Sequence, residues 1–551
     1  MNISEIYEYI NSTPLHKSQS TLFELLLYED INCWWFIDTY IYNCLRLQKT
    51  RSSKIINIYQ FSYVLITFIY DALVCGFWKF ITFISGLPTK VSNNSTTIIF
   101  REQLEEWMSR TDSKGGLTFY NVYHRTTIEK INANSYIVTP YDPGYILSAL
   151  NLKRYREILK NGDVHNVLPR IKYEFWSPKV WYREMKVTKH FLHLWNQLKR
   201  EEQWFEGLAS ITDIDKEMLK TIIKSSFLLE IPHIFAECAI MDNIISKYNS
   251  KVLVMTNEQM ASGRAWVYEG VKHGVLTIGI QHGVISNHPA YFNHDSADVR
   301  VVDKKIENSF PVPDITCVWG ETDAKLLREN AGYSDNQVIV TGNPRYDVLS
   351  NAQNLYSKVE FMKKYKINPE SKIILWATQS HGMPMSENHQ YFKEVFEACS
   401  TLSGITLIIK QHPNEGFIYT QLINEYISQY NLSIPIIVPD KMADTTELVY
   451  FSDIIINKFS TTGHEAVAFH KPMIIMDFTE SPDLADYVKE GVGIPVYNPE
   501  SLLQQIKDVL DGKYDLIEKQ DIYIKNHMYK LDGKSANRIA NIISNMILDS
   551  P

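Results

Sequence analysis

Short apolar runs alternate with longer, mixed polar stretches through the second half of the chain. Aliphatic and β-branched residues fill the runs, which predicts buried strands of a parallel sheet, and the stretches between them are long enough for helices. The region 453–477 shows the pattern best, because an apolar run, a polar turn, a short helical segment and a second apolar run follow one another. The strands predicted in this half are 373–377, 406–410, 434–438, 454–456 and 473–476.

The same pattern continues through residues 96–340. A long helix is predicted at 216–248 with a break at Pro232, and a further helix at 262–273. Residues 150–213 are charged, aromatic and helical in pattern, which predicts a helical insertion. The remaining elements predicted here are a helix at 103–109 and strands at 96–100, 117–123, 135–139, 251–256, 275–280, 315–319 and 338–340.

Strand, helix and strand of these lengths form the repeating unit of a doubly wound sheet, and each half of the chain repeats it. We therefore predict an α/β protein with two Rossmann-like domains that face one another across a cleft. The Gly/Pro turn at 341–347 is the predicted boundary between them. The first domain is assigned to 96–340, with a mobile loop at 284–311, and the second to 341–551 with closing C-terminal helices.

Residues 1–95 are rich in aromatic side chains and helical in pattern. The run 55–87 is long enough to span a bilayer, but Asp71 and Lys79 interrupt it, and a charge near mid-span is costly. Three alternatives stay open for this run: a transmembrane helix, a hairpin in contact with the membrane surface, and a buried pair of helices.

The composition of the chain limits the functions that are possible for the protein. The 551 residues carry a formal net charge of -8, so no global basic field points to nucleic acid as a partner. The six cysteines show neither a CxxC pair nor metal-ligand spacing, so no metal is expected. The first residues lack the basic and apolar regions of a secretory signal, which favours a cytoplasmic location.

Four polar clusters follow predicted strands, two in each half. They are 257–259, 281–283, 411–415 and 460–463. Because ligands of parallel α/β sheets bind beyond the carboxyl ends of the strands, we expect the four clusters to line the cleft.

In the first half, His282 and Glu258 are the candidate catalytic bases. His282 precedes a glycine that allows close approach of a ligand, or it hydrogen-bonds within a loop. Glu258 acts as a base or pairs with Arg264.

In the second half, the turn Ser460, Thr461, Thr462 and Gly463 precedes a helix. Its hydroxyl and amide groups bind a donor phosphate or cap that helix. Four further candidates have equally open roles. Glu465 binds a ribose hydroxyl or completes a capping box, Lys410 and His412 contact the donor or end a strand, and Arg345 binds phosphate or pairs with Asp347.

Together the motifs QHG (281–283), TGNPRYD (341–347), KQHPNE (410–415), STTGHEA (460–466) and LDGKSANRIANII (531–543) resemble those of GT-B-fold transferases. The pattern is most similar to CDP-glycerol glycerophosphotransferases and to capsule and surface-polysaccharide glycosyltransferases. It resembles UDP-N-acetylglucosamine 2-epimerases more distantly. The resemblance covers about residues 250–545.

The resemblance implies that His282 takes part in catalysis and that His412, Ser460, Thr461 and Thr462 contact the donor's phosphates. Two departures favour sugar transfer over polyol-phosphate transfer. Gln281 stands where glycerophosphotransferases tend to have an aromatic residue, and STTGHEA replaces their double-serine and aspartate pattern.

The leading hypothesis is a cytoplasmic glycosyltransferase, either free in the cytosol or peripheral to the inner face of the membrane, that works without metal or cofactor. It moves a sugar from a nucleotide-diphosphate sugar to a glycan or lipid-linked acceptor, in surface polysaccharide or glycolipid synthesis. Three alternatives stay open: a CDP-glycerol-type polyol-phosphate transferase, a nucleotide-sugar epimerase and a non-catalytic scaffold.

Overall fold

Two parallel sheets organise the molecule, as the alternating apolar runs predict. The computed structural model describes residues 3–47, 73–77, 79–80, 96–103, 106–111, 117–131, 135–142, 167–285, 310–380, 383–412, 415–441, 443–458, 460–479 and 483–549.

Seven strands of the described chain form the first sheet. Along the sheet their order is β3-β2-β1-β4-β5-β6-β7, and every neighbouring pair is parallel. This is the order of a doubly wound fold, with the reversal between β1 and β4. The strands are β1 (Thr97–Gln103), β2 (Tyr136–Asp142), β3 (Val167–Ile171), β4 (Ser250–Met255), β5 (Leu276–Ile280), β6 (Ile315–Val318) and β7 (Val338–Val340).

The second sheet repeats the same winding with six described strands. Their order is β10-β9-β8-β11-β12-β13, again all parallel, with the reversal between β8 and β11. The predicted fold class is therefore confirmed. The strands are β8 (Lys372–Ala377), β9 (Ile405–Lys410), β10 (Ile436–Ile437), β11 (Ile454–Asn457), β12 (Met473–Met476) and β13 (Gly493–Val496).

Helices cover the sheets and connect the strands. In the first part of the chain they are Ile3–Ser12, Leu22–Leu25, Trp34–Leu47, Arg125–Ile128, Pro178–Leu198, Glu202–Thr212, Lys216–Ser225, Ile231–Tyr248, Ala261–Lys272 and Glu321–Asn330. A 3₁₀ segment, Pro344–Asn351, connects the two domains. Beyond it lie Ala352–Leu355, Lys358–Tyr365, Met385–Ser400, Phe417–Tyr430, Thr445–Phe451, Thr462–Ala468, Leu502–Leu510, Ile517–Tyr523 and Ser535–Asp549.

Some elements differ from the sequence prediction. Residues 103–109 are not a helix, because Trp107–Thr111 pairs as an antiparallel hairpin with Leu117–Asn121. The predicted insertion at 150–213 contains β3, and β13 was not predicted at all. The predicted break at Pro232 is a single π-helical turn, Ser226–Glu230, after which the helix continues. A proline removes one helical hydrogen bond, and a π turn is one way to accommodate it.

The N-terminal residues 3–47 belong to the core of the first domain. Arg264, on the helix after β4, pairs with Asp38 at 2.6 Å, and both side chains are buried. The same guanidinium donates to the backbone oxygen of Trp35. Trp34, Trp35 and their neighbours share one apolar cluster with the helices Pro178–Leu198 and Lys216–Ser225.

The last helix, Ser535–Asp549, packs against the first sheet although it follows the second domain. Its Ile539 and Ile543 lie in one apolar cluster with β1, β4 and β5. Asp347, in the connecting segment, accepts hydrogen bonds from the backbone N–H groups of Ser535 (2.8 Å) and Ala536 (2.9 Å). The helix thereby fastens the connection between the domains to the first sheet.

Most of the predicted loop at 284–311 and most of the apolar run 55–87 lie outside the described residues. Within the described ranges, every helix is too short or too polar to cross a membrane.

Candidate functional site

A cavity of about 380 Å³ lies between the two domains. Val122, Thr126 and Lys130 line it from the first domain, and Lys410 and Thr446 from the second. The connecting segment adds Pro344, Arg345 and Asp347, and the last helix contributes Ala536. Of the residues predicted for the site, Arg345 and Lys410 line this cavity directly.

Arg345 is paired with the buried carboxylate of Glu465. Its Nη2 lies 3.1 Å from Glu465 Oε1, and Glu465 is only 1% exposed. Thr446 Oγ1 donates to the other oxygen, Oε2, at 3.0 Å. Arg345 does not pair with Asp347, whose carboxylate is occupied by the last helix. Burial raises the pKa of Glu465, and Arg345 opposes part of that rise.

Lys410 ends β9 and brings positive charge to the cavity wall. Its Nζ donates to the backbone oxygens of Gln411 (2.8 Å) and Lys441 (2.7 Å). Burial lowers its pKa to about 8, so the amine is mostly charged at pH 7. Lys441 and Lys130 also line the cavity, together with three acidic residues, so the wall carries charges of both signs. The cations from both domains can bind a ligand that carries phosphate groups.

His412 is partly buried in the turn that follows Lys410. Its backbone oxygen accepts from the N–H of Glu415 at 3.0 Å. The carboxylate of Glu415 in turn accepts from Ser380 N (2.7 Å) and from the Thr378 hydroxyl. This network fixes the turn against the loop after β8.

The turn from Ser460 to Gly463 is fixed by its own hydrogen bonds. Ser460 Oγ accepts from Thr462 N (3.2 Å) and donates to Thr462 Oγ1 (3.0 Å), whereas the Thr461 side chain makes no capping bond. A Cβ on Gly463 would lie 2.5 Å from the Tyr487 ring. The glycine is therefore required by the packing of Tyr487.

His282 follows β5 and is a neutral imidazole at pH 7. Burial lowers its pKa to about 4, so the ring is available as a proton acceptor. Its backbone oxygen accepts from the Tyr123 hydroxyl at 2.7 Å.

Gln281 is a structural residue. Its Oε1 accepts from Trp319 N (2.7 Å) and its Nε2 donates to Gly283 O (2.9 Å). These hydrogen bonds hold the loop that follows β5.

Glu258 lies away from the described cavity wall. Its carboxyl group packs on Gly279, and burial raises its pKa to about 7. The predicted pairing with Arg264 is wrong, because Arg264 pairs with Asp38. A role for Glu258 as a base stays a prediction.

Sequence reasoning missed Tyr123, Lys441 and Thr446. Tyr123 ends the strand predicted at 117–123, but the pairing of that strand in a hairpin with Trp107–Thr111 was not predicted, so nothing placed its hydroxyl near His282. Thr446 lies in the sequence DTTE at 444–447, which is a recognisable helix start: Asp444 Oδ1 accepts from Thr446 N (3.0 Å) and Glu447 N (3.3 Å).

Residues 183–545 match the family model described as CDP-glycerol:poly(glycerophosphate) glycerophosphotransferase. The chain is 27% identical over 234 residues to teichoic acid ribitol-phosphate polymerase TarL of Staphylococcus aureus, covering 40% of each protein. It is 26% identical over 262 residues to the teichoic acid glycerol-phosphate primase of the same organism, covering 46% of this chain. The two alignments span only 40% and 62% of those relatives' own lengths.

Two solved structures are similar to this chain at a low level. The wall teichoic acid polymerase TagF is 14% identical with a TM-score of 0.45, covering 90% of this chain and 98% of that one. The UDP-GlcNAc 2-epimerase from Neisseria meningitidis is 12% identical with a TM-score of 0.48, covering 82% of this chain and 100% of that one.

Proposed function

We propose that this chain, which belongs to the CDP-glycerol:poly(glycerophosphate) glycerophosphotransferase family, transfers a polyol phosphate from a CDP-polyol to a polyol-phosphate polymer. The family match confirms the resemblance seen in the motifs. The match favours polyol-phosphate transfer, which was an alternative hypothesis from the sequence, over sugar transfer, which was the leading one. The relatives named for ribitol phosphate and glycerol phosphate support the same class of donor.

The observation that carries the proposal is the interdomain cavity. It brings Lys410, Lys441 and Arg345 to one space, and Tyr123 connects that space to the loop of His282. A diphosphate donor needs cations, and its acceptor hydroxyl needs a neutral base. We assign the first requirement to Lys410, Lys441 and Arg345, and the second to His282.

In the proposed step, the acceptor hydroxyl oxygen attacks the phosphorus that carries the polyol. A new P–O bond forms, the bond to the bridging oxygen breaks, and CMP leaves with that oxygen and its electron pair. The hydroxyl proton passes to His282. Lys410 and Arg345 stabilise the charge that builds on the phosphate oxygens. We assign His412 and the Ser460 to Gly463 turn to the donor, as the resemblance implies.

The test is CMP release from CDP-glycerol and CDP-ribitol in the presence of a polyol-phosphate oligomer, with UDP- and GDP-sugars offered in parallel. His282→Ala should lower the rate by about 10²- to 10⁴-fold, the range of a lost general base. The matched control is His470→Ala, since His470 is exposed and pairs with Asp521 on the second domain. Turnover of a nucleotide sugar alone, or full activity of His282→Ala, would overturn the proposal.

Independence from metal stays a prediction of its own. The same assay with excess EDTA should give an unchanged rate, because the proposed charge stabilisation comes from side chains. A loss of activity that Mg²⁺ restores would show that a cation is required.

A further inference from the structure

The loop that carries His282, residues 281–285, is held from two sides. On one side the Tyr123 hydroxyl donates to the backbone oxygen of His282 at 2.7 Å, and the two rings meet edge to face. On the other side the buried carboxyl of Asp323 accepts from the side chain of Gln281 and from the backbone N–H of Ile285. The backbone on both sides of His282 is therefore fixed.

Tyr123 is itself fixed by a buried polar network. Asn121 Oδ1 accepts from the backbone N–H groups of Tyr123 (3.0 Å) and His124 (2.8 Å). Asn121 Nδ2 donates to Glu106 Oε2 at 2.9 Å. Asn121, His124 and Glu106 are each at most 2% exposed. These hydrogen bonds hold the backbone of Tyr123 in one geometry, because a rearrangement would leave the buried Asn121 amide unpaired.

The hydroxyl of Tyr123 also lies against Arg345. Arg345 pairs with Glu465, and Glu465 accepts from Thr446. One series of contacts thus runs from the backbone of His282, through Tyr123 and Arg345, to the second domain. Its members come from both walls of the cleft.

We propose that Tyr123 is a positioning residue, which aligns His282 for proton transfer and makes that alignment depend on the seating of the second domain. This inference rests on the proposed function. Tyr123 needs no contact with the substrate, because it acts on the backbone oxygen of His282. Removing the hydroxyl should therefore impair the chemical step and leave donor binding intact.

The test is Tyr123→Phe, which removes one hydroxyl and keeps the ring. We expect kcat to fall by about 10- to 100-fold while KM for the CDP-polyol changes less than about two-fold. The matched control is Tyr248→Phe, which removes a buried hydroxyl that accepts from Arg170 Nε at 3.0 Å in the first-domain core. That variant should keep its kcat. An unchanged kcat for Tyr123→Phe, or a change confined to KM, would overturn the inference.

A double-mutant comparison separates positioning from a general structural role. If Tyr123 acts through His282, Tyr123→Phe should have no further effect on the residual rate of His282→Ala. The same fold-loss in both backgrounds would show that Tyr123 acts independently, which contradicts the inference.

A measurement without substrate keeps this inference distinct from the proposed function. If the wild type releases no CMP from either CDP-polyol, the proposed function fails. The pKa of the His282 imidazole, followed by NMR on histidine-labelled protein, still reports on the loop. It should rise from about 4 towards the ordinary 6.5 in Tyr123→Phe, as water reaches the loosened ring, and stay near 4 in Tyr248→Phe. An unshifted value in Tyr123→Phe overturns the inference.

Discussion

Burial acts in opposite directions on the two candidate bases. It disfavours the charged form of each, so the pKa of His282 falls to about 4 while that of Glu258 rises to about 7. At pH 7 His282 is therefore fully neutral and Glu258 is about half protonated. This difference, together with the packing of Glu258 on Gly279, favours His282 as the proton acceptor.

The pH dependence of the reaction should show the lowered pKa of His282. Because the base must be unprotonated and Lys410 loses its charge only near pH 8, kcat/KM should stay level as the pH falls from 7 to 5 and decline near pH 4. The measurement is the rate of CMP release at limiting donor concentration across that range. A decline centred near 6.5 would mean that the imidazole is solvated in the free enzyme.

Glu258 should make the fold less stable as the pH rises. Its pKa is about 7 in the folded protein and near the ordinary 4.5 in the unfolded chain, so the folded state binds more protons between these values. The free energy of unfolding should therefore fall from pH 5 to pH 8. In Glu258→Gln this fall should be smaller, as measured by urea unfolding at both pH values. An equal fall in variant and wild type would show that other groups cause it.

The Arg345 and Glu465 pair should be costly to break from one side. In Arg345→Ala the carboxylate of Glu465 stays buried with only the Thr446 hydroxyl as a described side-chain donor, so we expect a loss of about 3 kcal/mol in the free energy of unfolding. Arg345→Ala with Glu465→Gln should recover much of that loss. If the double variant is as unstable as the single one, the unpaired charge is not the cause.

At the scale of single elements, the sequence predicts the strand, turn and helix of 453–477 correctly because their periodicity is local. The side chain that packs on the turn is that of Tyr487, which comes from another segment. From the sequence alone, the glycine at 463 is explained equally by phosphate binding and by helix capping. The hydroxyl of Tyr487 donates to the backbone oxygen of Ser460 at 3.0 Å. The shape of the turn thus depends on a residue that no local pattern identifies.

Gly463→Ala should destabilise the protein by about 1–3 kcal/mol, because a Cβ there collides with the Tyr487 ring. The comparison is Gly416→Ala, where a Cβ meets no atom within 4 Å and a smaller loss is expected. Thermal or urea unfolding of both variants measures the difference. Equal effects would mean that the Tyr487 ring moves aside freely.

At the scale of the whole molecule, the periodicity of apolar residues predicts both doubly wound sheets, because each strand–helix–strand unit is encoded by a short stretch of sequence. It does not predict which distant segments cover them. The N-terminal residues 3–47 and the last helix both pack on the first domain, through Asp38 with Arg264 and through Ile539 with β1. The cavity likewise forms from segments that are far apart in the sequence. For that reason only Arg345 and Lys410 among the predicted residues line it.

Asp38→Ala should destabilise the first domain as a whole. It leaves the guanidinium of Arg264 buried without its carboxylate, for which a loss of about 3–5 kcal/mol is typical. Residues 3–47 and the first sheet should still unfold in one transition, seen equally by tryptophan fluorescence and circular dichroism. Glu8→Ala, at an exposed position of the same region, is the control and should change the stability by less than about 0.5 kcal/mol. A separate early transition would show that the N-terminal residues form an independent unit.

The last helix has a consequence for synthesis on the ribosome. The strands β1, β4 and β5 are translated early, but the face that Ile539 and Ile543 cover stays open until residues 535–549 emerge. The second domain can fold first, while the first domain remains an incompletely folded intermediate with an exposed apolar face. A nascent chain stalled before residue 535 should therefore bind a chaperone through that face and release it once the helix arrives.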